Sequence, residues 1–319
     1  MEKVDNNGCY TTMITPYNSD GSVDYETVRK LVHFYYDGGC DGIFAVCQSS
    51  EIFFLTKEER TKINKIVYEE AERIASEGGR RMTVVSSGHV SNSLDEQIKE
   101  LQAVYESGTD ALILITNRLA KECEGDDVFI ENAEKIIAAL PSDVKLGFYE
   151  CPYPYKRLLT PKLLEWCVAT GRFKFIKDTC CDSEVIKARL RILDGSGIML
   201  FNANAQTLLT TLRYGAAGYC GIMANYHPEI YSWLTANFEK YPTLADSVQE
   251  FCCMSAFTEC GLPYPLSAKY HMSLVGRETE LITRKPNGGA VTEYVRECMA
   301  QMKSMSDKLY AQLKKEGAL

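Results

Sequence analysis

One pattern recurs along the first two thirds of the chain: a short apolar run, then a capped amphipathic helix. The runs at 9–14, 42–46, 82–86, 111–115, 144–149, 173–176, 198–201 and 216–221 have the length of buried strands and lack the period-2 alternation of half-exposed ones. Between them, side chains able to satisfy orphan backbone N–H groups mark the helix starts. Thr56-Lys57-Glu58-Glu59 and Ser93-Leu94-Asp95-Glu96 read as capping boxes, and Thr160-Pro161 sets an N-cap before a proline at the first helical position. Asp24, Asp126 and Ser183 are candidate caps for three more helices. Eight alternations of strand and helix favour a (β/α)8 TIM barrel over a doubly wound open sheet, because no G-x-G-x-x-G turn follows the first run. Beyond about Ala236, helical spacing at 244–261, 264–274 and 289–316 continues without a strand-like run. The expected organisation is one barrel over residues 1–236 and a C-terminal helical extension over 237–319.

The formal charge of −8 and the lack of a basic cluster argue against nucleic acid, whose binding depends on neutralising phosphates. No stretch reaches membrane-spanning length, and residues 1–7 contain no apolar leader core, so a soluble cytoplasmic protein acting on small molecules is expected. The 13 cysteines are odd in number and scattered without paired C-x-x-C units, which fits reduced core thiols better than a disulfide framework or a zinc site. Cys180-Cys181 and Cys252-Cys253 are adjacent pairs, poorly suited to ordinary disulfides or to one tetrahedral metal. Only Cys47, Cys151 and Cys180 fall near barrel-top positions. No metal ligand set is expected.

In a barrel, the C-terminal ends of the strands line the active site. The run 173–176 ends in Lys177, which sets an amine over an apolar wall, where it can attack a carbonyl to form an imine. Tyr149 ends the preceding run, so its phenol is placed to move protons beside that amine. Cys47-Gln48-Ser49-Ser50-Glu51 is a polar turn whose backbone N–H groups and hydroxyls could hold a carboxylate. Taken singly, each has a plainer reading: a solvated lysine, a rim aromatic, an ordinary serine-rich turn.

Their joint order is more informative. Gly8…Thr15-Pro16-Tyr17…Asp20-Gly21, the Cys47–Glu51 turn with Leu55-Thr56-Lys57-Glu58-Glu59-Arg60, Tyr149…Pro152, Phe175-Ile176-Lys177-Asp178, Gly215-Ala216-Ala217-Gly218 and Arg284-Lys285-Pro286 resemble the dihydrodipicolinate synthase/N-acetylneuraminate lyase family along nearly the whole chain. That resemblance implies a class I aldolase on a (β/α)8 barrel, commonly homotetrameric, acting on pyruvate or its aldol adducts without metal or organic cofactor. It matches Lys177 to the imine-forming lysine, Tyr149 to the tyrosine of a Y-x-x-P motif, and Gln48 and Ser49 to carboxylate-binding positions of a G-[ST]-T-G-E loop. Ser50, Ala203, Cys220, Gln206 and His89 complete the expected substrate-binding set.

The chain departs from the family where substrates are distinguished. Cys47 and Ser50 replace the two glycines of the loop, which puts its backbone conformation in question. The stretch 116–121 lacks the tyrosine that dihydrodipicolinate synthases pass to a neighbouring subunit, and Pro154 stands where they carry an arginine. Ala205, Gln206 and Ile222 stand where sialic acid lyases hold sugar hydroxyls. The remaining rim is Glu150, Tyr153, Tyr155, His89, Asn202, Asn204 and Gln206. Of the other histidines, His33 and His271 fall in helices, and His227 precedes Pro228, where solvent exposure or capping is the simpler account. The expected function is cleavage or formation of a C–C bond between a 2-oxo acid and an aldehyde. Two alternatives stand beside it: a dihydrodipicolinate synthase using Arg118, Lys156 or Arg157 in place of its arginine, and a paralogue that binds a 2-oxo acid without turnover.

Overall fold

The computed structural model describes residues 7–319, so most of the opening segment 1–7, read above for an apolar leader core, lies outside the described residues. Eight parallel strands close into a barrel in chain order: β1 (Gly8–Thr12), β2 (Gly42–Phe44), β3 (Thr83–Ser86), β4 (Ala111–Ile115), β5 (Leu146–Tyr149), β6 (Phe173–Asp178), β7 (Met199–Asn202) and β8 (Gly218–Gly221). Helices α1 (Tyr25–Asp37), α2 (Lys57–Ser76), α3 (Leu94–Glu106), α4 (Asp126–Ala139), α5 (Pro161–Thr170), α6 (Ser183–Leu193), α7 (Leu208–Arg213) and α8 (Pro228–Asn237) follow the strands in turn. Three more, α9 (Pro242–Cys260), α10 (Leu266–Leu274) and α11 (Glu293–Lys315), form the extension.

Local chemistry accounts for most helix starts. Thr56 and Glu59 exchange the two bonds of a capping box, at 3.1 and 2.9 Å, and Thr160 and Asp24 accept from the first turns of α5 and α1. Three expected caps are corrected. Ser93 occupies the N-cap position of α3, yet its hydroxyl makes no capping bond. Gly125 rather than Asp126 precedes α4, because the Asp126 carboxylate accepts instead from Arg157 and Thr160. Asp182, one residue earlier than Ser183, caps α6 by accepting from the N–H groups of Glu184 and Val185.

Inside the barrel, Tyr10, Phe44, Phe175 and Phe201 stack into an aromatic column, with Tyr10–Phe201 centroids 4.6 Å apart and Phe175–Phe201 centroids 4.7 Å apart. Outside β4–β6, a second apolar layer joins Phe148 and Phe173 to Phe129, Leu163 and Ile186 on the surrounding helices. The extension shares the larger core: Val248, Met299 and Leu313 belong to the same buried cluster as Tyr219 and Tyr231. The indole of Trp233 donates to the carbonyl of Ala318 at 2.6 Å, which ties the chain end to α8.

The barrel closes where β8 meets β1, with Gly8 opposite Gly218. Gly218 has φ +157°, and a Cβ there would lie 1.9 Å from the Gly8 carbonyl oxygen, so the seam closes only around a residue with no side chain. Gly218→Ala is therefore expected to destabilise the fold by about 1–3 kcal/mol or more, read as a lowered midpoint in thermal unfolding.

Candidate active site

Strand pairing brings together what the sequence separates. Tyr149 and Lys177 are Cα partners on β5 and β6, with side chains on the inner face at the C-terminal end of the barrel. The Lys177 Nζ lies 4.2 Å from the Tyr149 ring centroid and 5.6 Å from that of Phe44, at the top of the aromatic column. Among the described residues it forms no ion pair, although only 4% of the residue is exposed. Burial pushes the Tyr149 phenol well above its ordinary value, so it stands protonated and can donate. Its hydroxyl donates to Gln48 Oε1 at 3.3 Å, and the Cys151 thiol donates to the same oxygen at 3.4 Å.

These groups open into a cavity of about 690 Å³ that also receives Ser49, Ala203 and Gln206. The polar turn forms a short 3-10 segment, Gln48–Ser50, and the only left-handed residue within it or next to it is Glu51, at φ 61°. Cys47 lies in the extended region, so neither residue that replaces a family glycine sits where a glycine is needed. Ser49 lines the cavity and donates to Thr12 Oγ1 at 3.1 Å. Ser50 does not line it: its buried hydroxyl faces the carbonyls of Met13 and Ala45, at 2.7 and 2.9 Å, and accepts from the Cys47 N–H. Its role is to fold the loop rather than to face a ligand.

Glu51 fastens this loop to the extension. Its Oε2 accepts from Thr283 Oγ1 and from the N–H groups of Arg284 and Lys285 at 2.7–3.0 Å. Its Oε1 lies 3.6 Å from the buried Lys269 amine, which burial brings down to about 8 against the pull of Glu51. Tyr264, also from the extension, lines the cavity and accepts from Asn225 Nδ2 at 3.2 Å.

Several expected contacts are absent from the cavity lining, each for an identifiable reason. His89 is fully buried: Nε2 accepts from the Ile115 N–H at 2.6 Å and Nδ1 donates to Gln97 at 2.8 Å, which leaves no ring nitrogen for a ligand. Cys220 is buried between Tyr219 and Gly221, and burial pushes its thiol up to about 12. Asn202 is buried and bonds Thr207 and Thr211, while Tyr155 bonds the carbonyls of Asn117 and Ala120. Of the three basic residues considered as substitutes for the missing arginine, only Lys156 lines the cavity, with Nζ donating to the Thr179 carbonyl at 2.7 Å. Arg118 is bound to the Val90 carbonyl, and Arg157 to those of Lys121 and Glu124. His227, expected at the surface or as a cap, is buried instead, with Nε2 3.0 Å from Glu259 Oε2.

Sequence reasoning missed Arg189 altogether, and it assigned Glu150 to the rim. Both are buried. The Arg189 guanidinium lies 2.8 Å from Glu150, also pairs with Asp178, and donates to the Leu159 carbonyl. Glu150 follows Tyr149 and Asp178 follows Lys177, so a single cation joins the two strand ends that carry the site. Burial first, then the charge of Asp178, push the Glu150 carboxyl up to about 7 against the attraction of Arg189. An arginine in mid-helix, at no special spacing from Lys177, offers no sequence signal of this role.

Two outcomes follow from these buried groups. Arg189→Ala leaves two buried carboxylates without their cation and is expected to cost about 3–5 kcal/mol in denaturant unfolding, with Arg189→Lys costing less. Burial lowers His89 to about 4, below the roughly 6.5 of an unfolded imidazole. The unfolded chain therefore takes up this proton first, so the stability linked to His89 is complete above about pH 6.5 and is lost as pH falls toward 4. In urea titrations, His89→Gln is expected to be less stable than the parent near neutrality, with the gap narrowing as the pH is lowered through that window.

Comparison with known proteins bears on the fold and the family. The model of the dihydrodipicolinate synthetase family matches residues 5–305. A 4-hydroxy-tetrahydrodipicolinate synthase of Shewanella sp. (strain ANA-3) is 27% identical over 225 residues, covering 70% of this chain and 72% of that protein. Among solved structures, the dihydrodipicolinate synthase of Acinetobacter baumannii complexed with pyruvate superposes with a TM-score of 0.82 at 21% identity, over 94% of this chain and 99% of the other. A catalytic lysine mutant of the Ruminococcus gnavus sialic acid aldolase gives 0.84 at 17% identity, over 98% and 99%. At these identities the structural likenesses carry the fold alone, whereas the family match spans nearly all of the sequence: the chain belongs to the dihydrodipicolinate synthetase family.

Proposed function

We propose that the protein is a class I aldolase in which Lys177 forms an imine with pyruvate or a related 2-oxo acid and thereby makes or breaks a C–C bond to an aldehyde. The observation that carries this reading is one buried amine without an ion-pair partner at the floor of the cavity, paired across the sheet with a phenol and facing the Gln48–Ser49 turn. The other two cavity lysines, Lys156 and Lys285, are exposed at the rim.

In this mechanism the carboxylate rests against Ser49 and the Gln48 amide while the Lys177 nitrogen bonds to the ketone carbon. The ketone oxygen leaves as water, its protons supplied by the amine and by the Tyr149 phenol. The protonated imine then withdraws electrons from the bond to be cleaved, leaving an enamine, so the lysine itself supplies the electron sink. Membership of the family supports this reading, as does the phenol held protonated by burial. A cytoplasmic homotetramer acting on small molecules accords with it, and sedimentation as a monomer contradicts that assembly.

A second reading, favoured by the place of Lys156 in the cavity wall, is synthesis from pyruvate and aspartate semialdehyde, with this lysine meeting the second carboxylate. It predicts that aspartate semialdehyde outperforms uncharged aldehydes as the acceptor.

The test is intact mass after incubation with pyruvate and borohydride. One reduced pyruvyl adduct is expected in the parent and none in Lys177→Ala; an unmodified parent contradicts the imine mechanism. Tyr149→Phe is expected to slow adduct formation by about 10²–10⁴-fold without altering the mass that the adduct adds.

A further inference from the structure

The wall above Lys177 is largely apolar, and several of its polar groups are committed to the protein. Glu51, the one carboxylate lining the cavity among the described residues, is held by Thr283, Arg284, Lys285 and Lys269. Asn204 gives its amide N–H to Gln206 at 2.9 Å, and its oxygen accepts from both the N–H and the hydroxyl of Thr207. Lys156 is bonded to a backbone carbonyl. A polyhydroxylated aldehyde would bury hydroxyls here with few partners, and each unpaired hydroxyl weakens binding. The cavity is also far larger than a three-carbon acid fills, and of a size usual for sites that enclose a larger organic ligand.

Aromatic side chains crowd its mouth without being buried by the protein. Tyr153 is 50% exposed, and its ring stands 4.9 Å from that of Phe53 at 63°, edge against face. Phe54 lines the same cavity and is only partly buried, and Pro152 and Pro286 stand exposed beside them. Incompletely buried rings around a concave site gain by covering an apolar ligand, and rings at tilted angles favour a further ring over a flexible alkyl chain.

We propose that the aldehyde partner carries an aromatic ring, seated against Phe53 and Tyr153 above Lys177. The inference rests on the imine reading given above. In the forward direction, the Tyr149 phenolate left by imine formation takes a proton from C3 of the imine to give the enamine; C3 then bonds to the aryl aldehyde carbon while the aldehyde oxygen takes that proton from Tyr149. Water then hydrolyses the imine, restores the Lys177 amine and releases a 4-aryl-4-hydroxy-2-oxobutanoate. Cleavage runs the same steps in reverse.

The experiment measures pyruvate release by the full-length enzyme from 4-hydroxy-2-oxo-4-phenylbutanoate and from the pyruvate adducts of acetaldehyde, hexanal, glyceraldehyde and aspartate semialdehyde. The phenyl compound is expected to exceed each of the others in kcat/KM by about tenfold or more, the scale on which an apolar pocket discriminates. Tyr153→Ala and Phe53→Leu are expected to lower the ratio of phenyl to acetaldehyde-derived rates by about tenfold, with thermal unfolding checking that both variants are folded. Equal or faster cleavage of the hexanal, glyceraldehyde or aspartate-semialdehyde adduct overturns the proposal, as does an unchanged ratio in both folded variants. Borohydride trapping with pyruvate separates the two levels: an adduct without aryl preference overturns this inference alone, whereas no adduct overturns the imine reading and this inference with it.

Discussion

The Arg189 guanidinium is the constraint on which the site's geometry most depends. It pairs with Glu150 and Asp178, the residues immediately after Tyr149 and Lys177, and so locks the ends of β5 and β6 against each other. Glu150 extends the lock by accepting from the N–H groups of Thr179 and Leu159 at 2.8 and 2.7 Å. Buried charges of this kind add little net stability, because desolvation offsets their attraction, yet removing one partner is severe. Their effect is to make one arrangement of the two strand ends far better than any neighbouring one. Amine and phenol are thereby held at a fixed separation, the amine without an ion-pair partner among the described residues and the phenol bonded to Gln48 inside the cavity.

A second charged anchor governs the opposite wall. Glu51 joins the Gln48–Ser50 turn to the segment 283–285, so the extension helps to shape the cavity as well as to cover the barrel. The left-handed conformation falls on Glu51 itself, and its fixed carboxylate holds it there. This explains how the turn tolerates Cys47 and Ser50 at positions where the family has glycine: the Ser50 hydroxyl and the Glu51 carboxylate supply the bonds that hold the turn in shape. Tyr264 and Lys285 reach the cavity from the same region.

The fold was legible from local features. Each of the eight apolar runs overlaps a strand, and Asp24, Thr56 and Thr160 cap the helices they were assigned to. Asp126 and Ser183 failed because a capping side chain is chosen by competition: the Asp126 carboxylate is drawn to Arg157 and Thr160, and Asp182 reaches the same N–H groups from one residue earlier. Of the residues expected to meet substrate, Gln48, Ser49, Ala203 and Gln206 line one cavity with Lys177 and Tyr149. His89, Ser50 and Cys220 do not, although all three belong to strand ends or to the turn that follows one.

The order of strands and helices was readable along the chain, and with it the barrel end at which the cavity opens. Both follow from periodicity and capping, which act over a few residues. Which side chains near that end remain available depends on long-range packing. His89 is claimed by a backbone N–H of the next strand, Glu150 by an arginine from a helix, and Ser50 by carbonyls of two different strand ends. A polar group near a barrel mouth bonds to the first buried partner that packing brings within reach, because leaving that partner unpaired costs more than leaving a ligand unbound. Those partners lie far away in sequence, so no local pattern records them.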